Sequence, residues 1–297
     1  VTLELVPVKE TGPAAPAPPG SRRRALRRVL RNPLAALGLV IVVVALLAAA
    51  LANLVTPFPY DRTDFSAALQ PPSPAHWFGT DELGRDQFSR VIFGLRASVE
   101  VGVMSVALSL VVGVPLGLLA GFYGWLDPVV SRLTDTLLAF PFLVLAVGLA
   151  AIVGPSLTIA TIAIAAAQIP AVVRVTRSET LHLREMDYVA AAIADGASDA
   201  VLLGRHILPN AVNALIVQAT VAVPAAIIGE SVLSFLGLGV RPPTPSLGIM
   251  LASAQPLFRD GPWLVVFPGV AIVLLTLAMN LVGDGLRDAL DPREVRR

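Results

Sequence analysis

Residues Tyr188 to Pro209 read YVAAAIADGASDAVLLGRHILP, a stretch of mixed polarity set between two long apolar runs. Its pattern predicts an amphipathic helix, a glycine turn and a second short helix. Glu185, Asp187 and Asp195 stand beside Met186, Val189, Ala190 and Ile193, so one face can bury while the other stays wet. Gly196 is placed to take the left-handed conformation that ends a helix. Ser198 is expected to cap the next helix, with Asp199 favoured in its first turn by the helix dipole. Pro209 is expected to stop that second helix. Two surface helices tied to a membrane body form a handle that another protein can grip. The small side chains of Ala190, Ala191 and Ala192 suit close insertion into a groove. The plainer alternative is a re-entry loop resting on lipid headgroups.

Composition puts the body in a membrane. The chain is 55% hydrophobic and 14% charged, with mean hydropathy +0.76, against about 25% charged in soluble domains. An all-α, polytopic membrane protein follows. A helix needs about 20 apolar residues to cross the hydrocarbon core. Six segments approach that: Leu34–Val55, Ser98–Ala120, Thr134–Val153, Ser156–Val173, Ala211–Phe235 and Trp263–Val282. Outside them, residues 1–32 read as a proline-rich, disordered tail that turns basic at Arg22, Arg23, Arg24, Arg27, Arg28 and Arg31. Residues 33–97 hold the first span and a long loop, 98–290 the core with the handle at 185–209, and 291–297 a closing tail. Ala50-Leu51-Ala52 resembles a signal-peptidase site. The apolar run before it exceeds a typical signal h-region, so a retained span is expected.

Positive charge orients the chain. With the first tail inside, 16 of the 22 Lys and Arg residues fall inside and 6 outside. Both termini and the 188–209 handle are therefore expected in the cytoplasm, where ATP is available.

Several chemistries drop out. There is no cysteine, hence no disulfide, thiolate metal site or Cys nucleophile. His76, His182 and His206 lie in separate segments without metal-ligand spacing. Lys9 is the only lysine, so no Walker A loop exists to hold ATP phosphates. Any ATP that drives this protein is hydrolysed on another chain, where Mg would also sit, and no cofactor, metal or nucleic acid is expected on this one.

The two outer loops are rich in turn residues. Residues 56–97 include QPPSPAHWFGTDELGRDQFSRVIFGLRAS, and 236–262 read LGLGVRPPTPSLGIMLASAQPLFRDGP. A helix starting near Asp86 carries Phe88, Val91, Ile92 and Leu95 on one face and is expected to pack. Glu230 lies in the fifth span and Asp135 at the edge of the third. Charges in such places are functional candidates; for Glu230 the alternative is packing against serine or backbone near the outer interface. Pro224 and Gly229 are expected to break the fifth span, Pro141 and Pro170 two others, with hinge motion or static packing as the outcomes. Gly113, Gly117 and Gly121 form a small-residue face for close helix approach.

These motifs together resemble a family. The handle is similar to the EAA loop of ABC-transporter permeases: Ala191 and Ala192 fall on its two alanines, Gly196 on its glycine and Leu208-Pro209 on its closing pair. Ala190 replaces the usual glutamate, which removes one charged contact. His76-Trp77-Phe78-Gly79-Thr80-Asp81, then Gly84-Arg85-Asp86 and Ser89-Arg90, look like the HxFGTDxxGRDxxSR motif of the second permease in dipeptide, oligopeptide and nickel importers. Gly229-Glu230-Ser231 through Gly239, and Pro242 to Gly248, are similar to the same family. The resemblance covers about residues 25–292.

It implies a type I ABC importer half-channel in the bacterial inner membrane, paired with a second homologous permease. Two ABC ATPases would lie below, and an extracytoplasmic substrate-binding protein above. By the same resemblance, Asp187, Ala190, Ala191, Ala192, Asp195, Gly196, Ser198, Arg205, His206 and Pro209 would couple to the ATPase. Gly79, Thr80, Asp81, Gly84, Arg85 and Asp86 would belong to the loop facing the binding protein, with Pro224 and Glu230 candidates for pathway or gating. Peptides are the expected cargo, with nickel or another small solute as the alternative. From another class, an ion-driven secondary transporter would need inverted repeats and a polar midplane site, and no such repeat is visible. A membrane scaffold without transport would need the handle to bind no ATPase.

Overall fold

Asn32 opens the first helix: its side-chain oxygen accepts from the Leu34 and Ala35 N–H groups at 3.1 and 3.3 Å, and Pro33 occupies a first-turn position that needs no N–H. That helix, α1, is Pro33–Ala50. The computed structural model describes residues 30–290. The proline-rich tail, the arginines at 22–28 and the segment 291–297 lie outside the described residues.

The second helix, α2, runs Gln87–Phe122, 36 residues capped by Asp86. At 1.5 Å per residue it is about 54 Å long, well beyond a hydrocarbon core of about 30 Å. The packed helix expected near Asp86 and the span expected from Ser98 are thus one rod. Asp127–Ala139 (α3) and Phe142–Val153 (α4) follow. The continuous third span expected over 134–153 does not form, because these two helices meet at 84°. Pro141 has no N–H to offer, and Phe140 before it is extended at φ −87°, ψ 122°.

Leu157–Arg184 (α5) is capped by Ser156, whose hydroxyl accepts from Ile159 N–H at 3.2 Å. The span expected over Ser156–Val173 is part of a helix 28 residues long that passes unbroken through Pro170. The handle's first helix, α6, is Asp187–Ala194, and Leu208–Phe235 (α7) rises from the end of the handle. The long loop after α7 folds a short helix, Leu247–Ala254 (α8), before Trp263–Leu290 (α9) returns. Among the described residues five helices are long and apolar enough to cross a membrane, or six with the bent α3–α4 pair taken as one span.

The small-residue face is where α2 and α5 meet. A Cβ placed on Gly113, Gly117 or Gly121 would come within 2.7, 2.5 and 2.6 Å of Val172, Thr176 and Thr180. The Thr176 and Thr180 hydroxyls donate back to the Val172 and Thr176 carbonyls, so neither is left unsatisfied in the seam. Two larger apolar clusters lie in the interior. One joins Val101, Ile164, Ala226 and Leu233, and the other Ile92, Ile227, Leu247 and Leu275.

Candidate functional site

The two ends of the bundle hold the sequence motifs, and they are built differently. At one end the handle follows Arg184. Val189 is buried and anchors α6, as Leu202 and Ile207 anchor the second limb. Asp187, Ala190, Ala191 and Asp195 are exposed and Ala192 is half-buried. Ile193, expected on the buried face with Val189, is 53% exposed, and Val201 41%. The crest of the handle is therefore apolar and bare among the described residues.

Gly196 has φ +81°, the left-handed value that ends α6. Gly196 N–H donates to the Ile193 carbonyl and Ala197 N–H to the Ala192 carbonyl, each at 3.0 Å, which satisfies carbonyls at the helix end. No atom lies within 4 Å of a Cβ built there, so backbone conformation and not space reserves the position for glycine.

The second limb departs from expectation. Ser198 sits at the N-cap of the one-turn helix Asp199–Val201, but its hydroxyl makes no capping bond; its backbone carbonyl accepts from Leu202 N–H at 2.9 Å. The limb continues as a π-helical stretch, Leu202–Ile207, holding Arg205 and His206. Pro209 does not stop it. Placed in the first turn of α7, where a missing N–H is harmless, it lets the handle run straight into the span.

Residues that local pattern could not identify brace this end. Tyr123, just past α2, donates its hydroxyl to Asp199 at 2.9 Å. That acceptor holds the Tyr123 phenol above its ordinary pKa. Arg177 forks onto Asp127 at 2.5 and 2.6 Å, and Arg184 donates to the Phe122 carbonyl at 2.9 Å. Asp135, noted at the edge of a span, pairs with Arg174 at 3.0 Å. Unmatched charges at span ends hinted at such pairs, but partners 50 residues apart in the chain cannot be matched from it.

At the other end the motif residues turn inward. Asp81 accepts from the N–H groups of Leu83 and Arg85 at 3.0 and 2.9 Å and from Arg85 Nε at 2.7 Å, with Arg90 Nε at 3.4 Å. Asp86 caps α2 through Ser89 N–H and hydroxyl, at 2.8 and 2.7 Å. It also lies 2.9 Å from His76 Nδ1; a carboxylate only accepts, so that ring nitrogen carries the proton. Thr80 is bonded to the loop through Ala67 and Gln70, and its carbonyl receives Trp263 Nε1 at 3.1 Å. Gly79 and Gly84 both have positive φ, and a Cβ on Gly84 would strike the Asp64 carbonyl. Thr80, Asp81, Arg85 and Asp86 are all buried, so they shape the loop from within and present no side chain to a visitor. Trp77, 60% exposed, and Phe65 are on its surface.

The interior candidates resolve similarly. Glu230 is fully buried, accepting from Ser98 and Ser234 hydroxyls at 2.6 Å each, which ties α7 to α2 and supports the packing alternative. Pro224 is buried inside an unbroken α7.

Comparison with known proteins agrees with this architecture. Residues 113–296 match the family described as binding-protein-dependent transport system inner membrane component. Residues 21–72 match the N-terminal TM domain of oligopeptide transport permease C. The dipeptide transport system permease protein DppC of Alkalihalophilus pseudofirmus is 45% identical, covering 91% of this chain and 90% of the relative. The di/tripeptide transport system permease protein DppC of Pseudomonas aeruginosa is 48% identical over 79% of this chain and 80% of its own. The glutathione transport system permease protein GsiD of Escherichia coli is 42% identical over 90% and 89%. With its spans, its handle and its matched sequence in register, this chain belongs to the family of inner membrane components of binding-protein-dependent transport systems.

Proposed function

We propose that this chain is the permease subunit of an ATP-driven, binding-protein-dependent importer and supplies half of a channel for di- and oligopeptides. The cargo follows from relatives named for dipeptides, di/tripeptides and glutathione, all of them peptides. A second homologous permease supplies the other half. Two ATPases carry ATP and Mg, and this chain performs no catalysis. The distribution of positive charge supports an orientation with both termini and the handle in the cytoplasm. The binding protein then meets the opposite loops, whose shape Gly79, Thr80, Asp81, Gly84, Arg85 and Asp86 maintain.

One observation carries this reading: an exposed two-limbed handle turns on a left-handed glycine and continues directly into a span. The bare crest of Ala190, Ala191, Ile193 and Val201 is the surface an ATPase would cover, with Asp187, Ala192, Asp195, Ser198, Arg205 and His206 around it. Movement of the crest would pass through Gly196 and Pro209 into α7. Gly196→Val forces a β-branched residue to positive φ, a strain of about 1–3 kcal/mol, while the packed spans remain intact. Gly204→Ala is the control, since Gly204 has no positive φ and nothing within 4 Å. Both variants are reconstituted with all partner subunits, and ligand-stimulated ATP hydrolysis and uptake are measured together. Gly196→Val assembles normally but loses coupling, whereas Gly204→Ala stays close to the parent. Parental transport by Gly196→Val would remove the handle from the coupling path.

A further inference from the structure

A groove of about 640 Å³ opens beside the handle, between α5, α7 and α9. Polar side chains line its mouth. Glu179 comes from α5, Asn210, Asn213 and Gln218 from α7, and Arg287 from α9. Neither Glu179 nor Arg287 forms an ion pair among the described residues. Glu179 is half-buried and Arg287 exposed, both beyond the apolar runs that end at Val173 and Val282, so the groove's charged end faces water. Above the polar mouth, Val217 and Val221 continue the same face of α7 toward its middle. The groove therefore combines one acid, one base and three amides with an apolar floor. Its volume lies within the range of small-molecule sites, roughly 300–1,000 Å³.

We propose that this groove is a transient site for zwitterionic short peptides leaving the channel, with Glu179 receiving the α-ammonium and Arg287 the α-carboxylate. The inference rests on the peptide-importer reading and adds where, on this chain, the peptide is held. Charge balance supports that class: the site offers one negative and one positive group, as a dipeptide does. Asn213 and Gln218 can both donate to and accept from the peptide bond, and the valines accept side chains without selecting among them. Asn210 joins the site to the handle, because its Nδ2 donates to the His206 carbonyl at 2.6 Å. A shift of the π-helical limb moves this amide directly, so the groove can loosen its hold when the handle moves.

The test uses the whole complex in proteoliposomes: this chain, its partner permease, the ATPases and the binding protein. The probe is radiolabelled alanyl-p-benzoylphenylalanine, a dipeptide with free termini and a photoreactive side chain, irradiated during ATP turnover. Label is expected on α7 between residues 210 and 221. Glu179→Gln and Arg287→Gln should each lower it about tenfold, a loss of about 1.4 kcal/mol, in complexes that co-purify intact. The chain has no cysteine, so Ala214→Cys provides a single thiol in the groove, expected to react with a water-soluble maleimide. An unreactive Cys in the assembled complex would mean that the partner permease or residues 291–297 cover the groove, and the proposal fails. It fails equally if the dipeptide is imported while label falls elsewhere or is undiminished in both variants. If the parent imports no dipeptide at all, the peptide-importer reading itself falls and takes this site with it, an outcome recognisable because uptake is absent before any label is mapped.

Discussion

The loop end and the handle end use the same kinds of residue for opposite purposes. In the loop at 56–90, Asp81, Arg85, Arg90 and Asp86 are buried and bonded to one another, to backbone and to His76. In the handle, Asp187, Asp195 and Arg205 are exposed, and among the described residues nothing covers the apolar crest. Motif residues at the first end are buried and hold the loop together; most of those at the second are exposed. Burial decides between these roles, and the identity of the amino acid does not.

That contrast makes graded predictions. The largest effect is expected at Asp81. Its replacement by Ala leaves the Arg85 and Arg90 guanidinium groups buried without their shared carboxylate, a cost of about 3–5 kcal/mol. The folded fraction recovered from membranes and its thermal stability should both collapse. If Asp81→Ala were as stable as the parent, the buried network would not support the loop. Next is Gly117→Val, which drives a branched side chain into Thr176 and the Val173 carbonyl across the α2–α5 seam. Overpacking of this kind costs about 1–3 kcal/mol, read as a lowered melting temperature with coupling retained in the surviving protein. Gly196→Val, of similar local cost, should do the reverse, keeping stability and losing coupling.

The smallest effect belongs to Tyr123→Phe, which removes one exposed bond to Asp199. Asp199 holds the Tyr123 proton above the ordinary phenol pKa. A raised folded-state pKa stabilises below the unfolded value, near 10, and that stabilisation is lost as pH rises through the folded value. Stability of the parent minus the variant should therefore be flat from pH 6 to 9 and shrink only above about pH 10. A difference that changes between pH 6 and 9 would show that another group controls the handle's tether.

Much of this molecule follows from local rules. Apolar run length marked the spanning segments except the third, which is bent by 84°, and the four-residue spacing of Gly113, Gly117 and Gly121 marked the face that α5 covers. The left-handed turn at Gly196 and the helix start at Asp86 were legible because each depends on a few neighbouring residues. Proline shows where local rules stop. Pro170, Pro224 and Pro268 are buried in unbroken helices, and Pro115 lies in a helix fixed by the glycine seam. Pro141 is exposed, and only there does the chain turn by 84°. The missing N–H is the same in every case; what differs is whether packed neighbours hold the helix straight, and that is a property of the assembled bundle.

The charges teach the same lesson. Asp127 meets Arg177, Tyr123 meets Asp199 and Glu230 meets Ser98 across 50, 76 and 132 residues, pairings that no local spacing encodes. By itself the sequence determined a membrane-spanning, all-helical chain with a jointed handle, because hydrophobicity, helical period and glycine stereochemistry act within a few turns. Only the tertiary structure decided which charges are buried, which proline bends the chain and where a polar groove opens, because burial and pairing depend on segments that meet after folding.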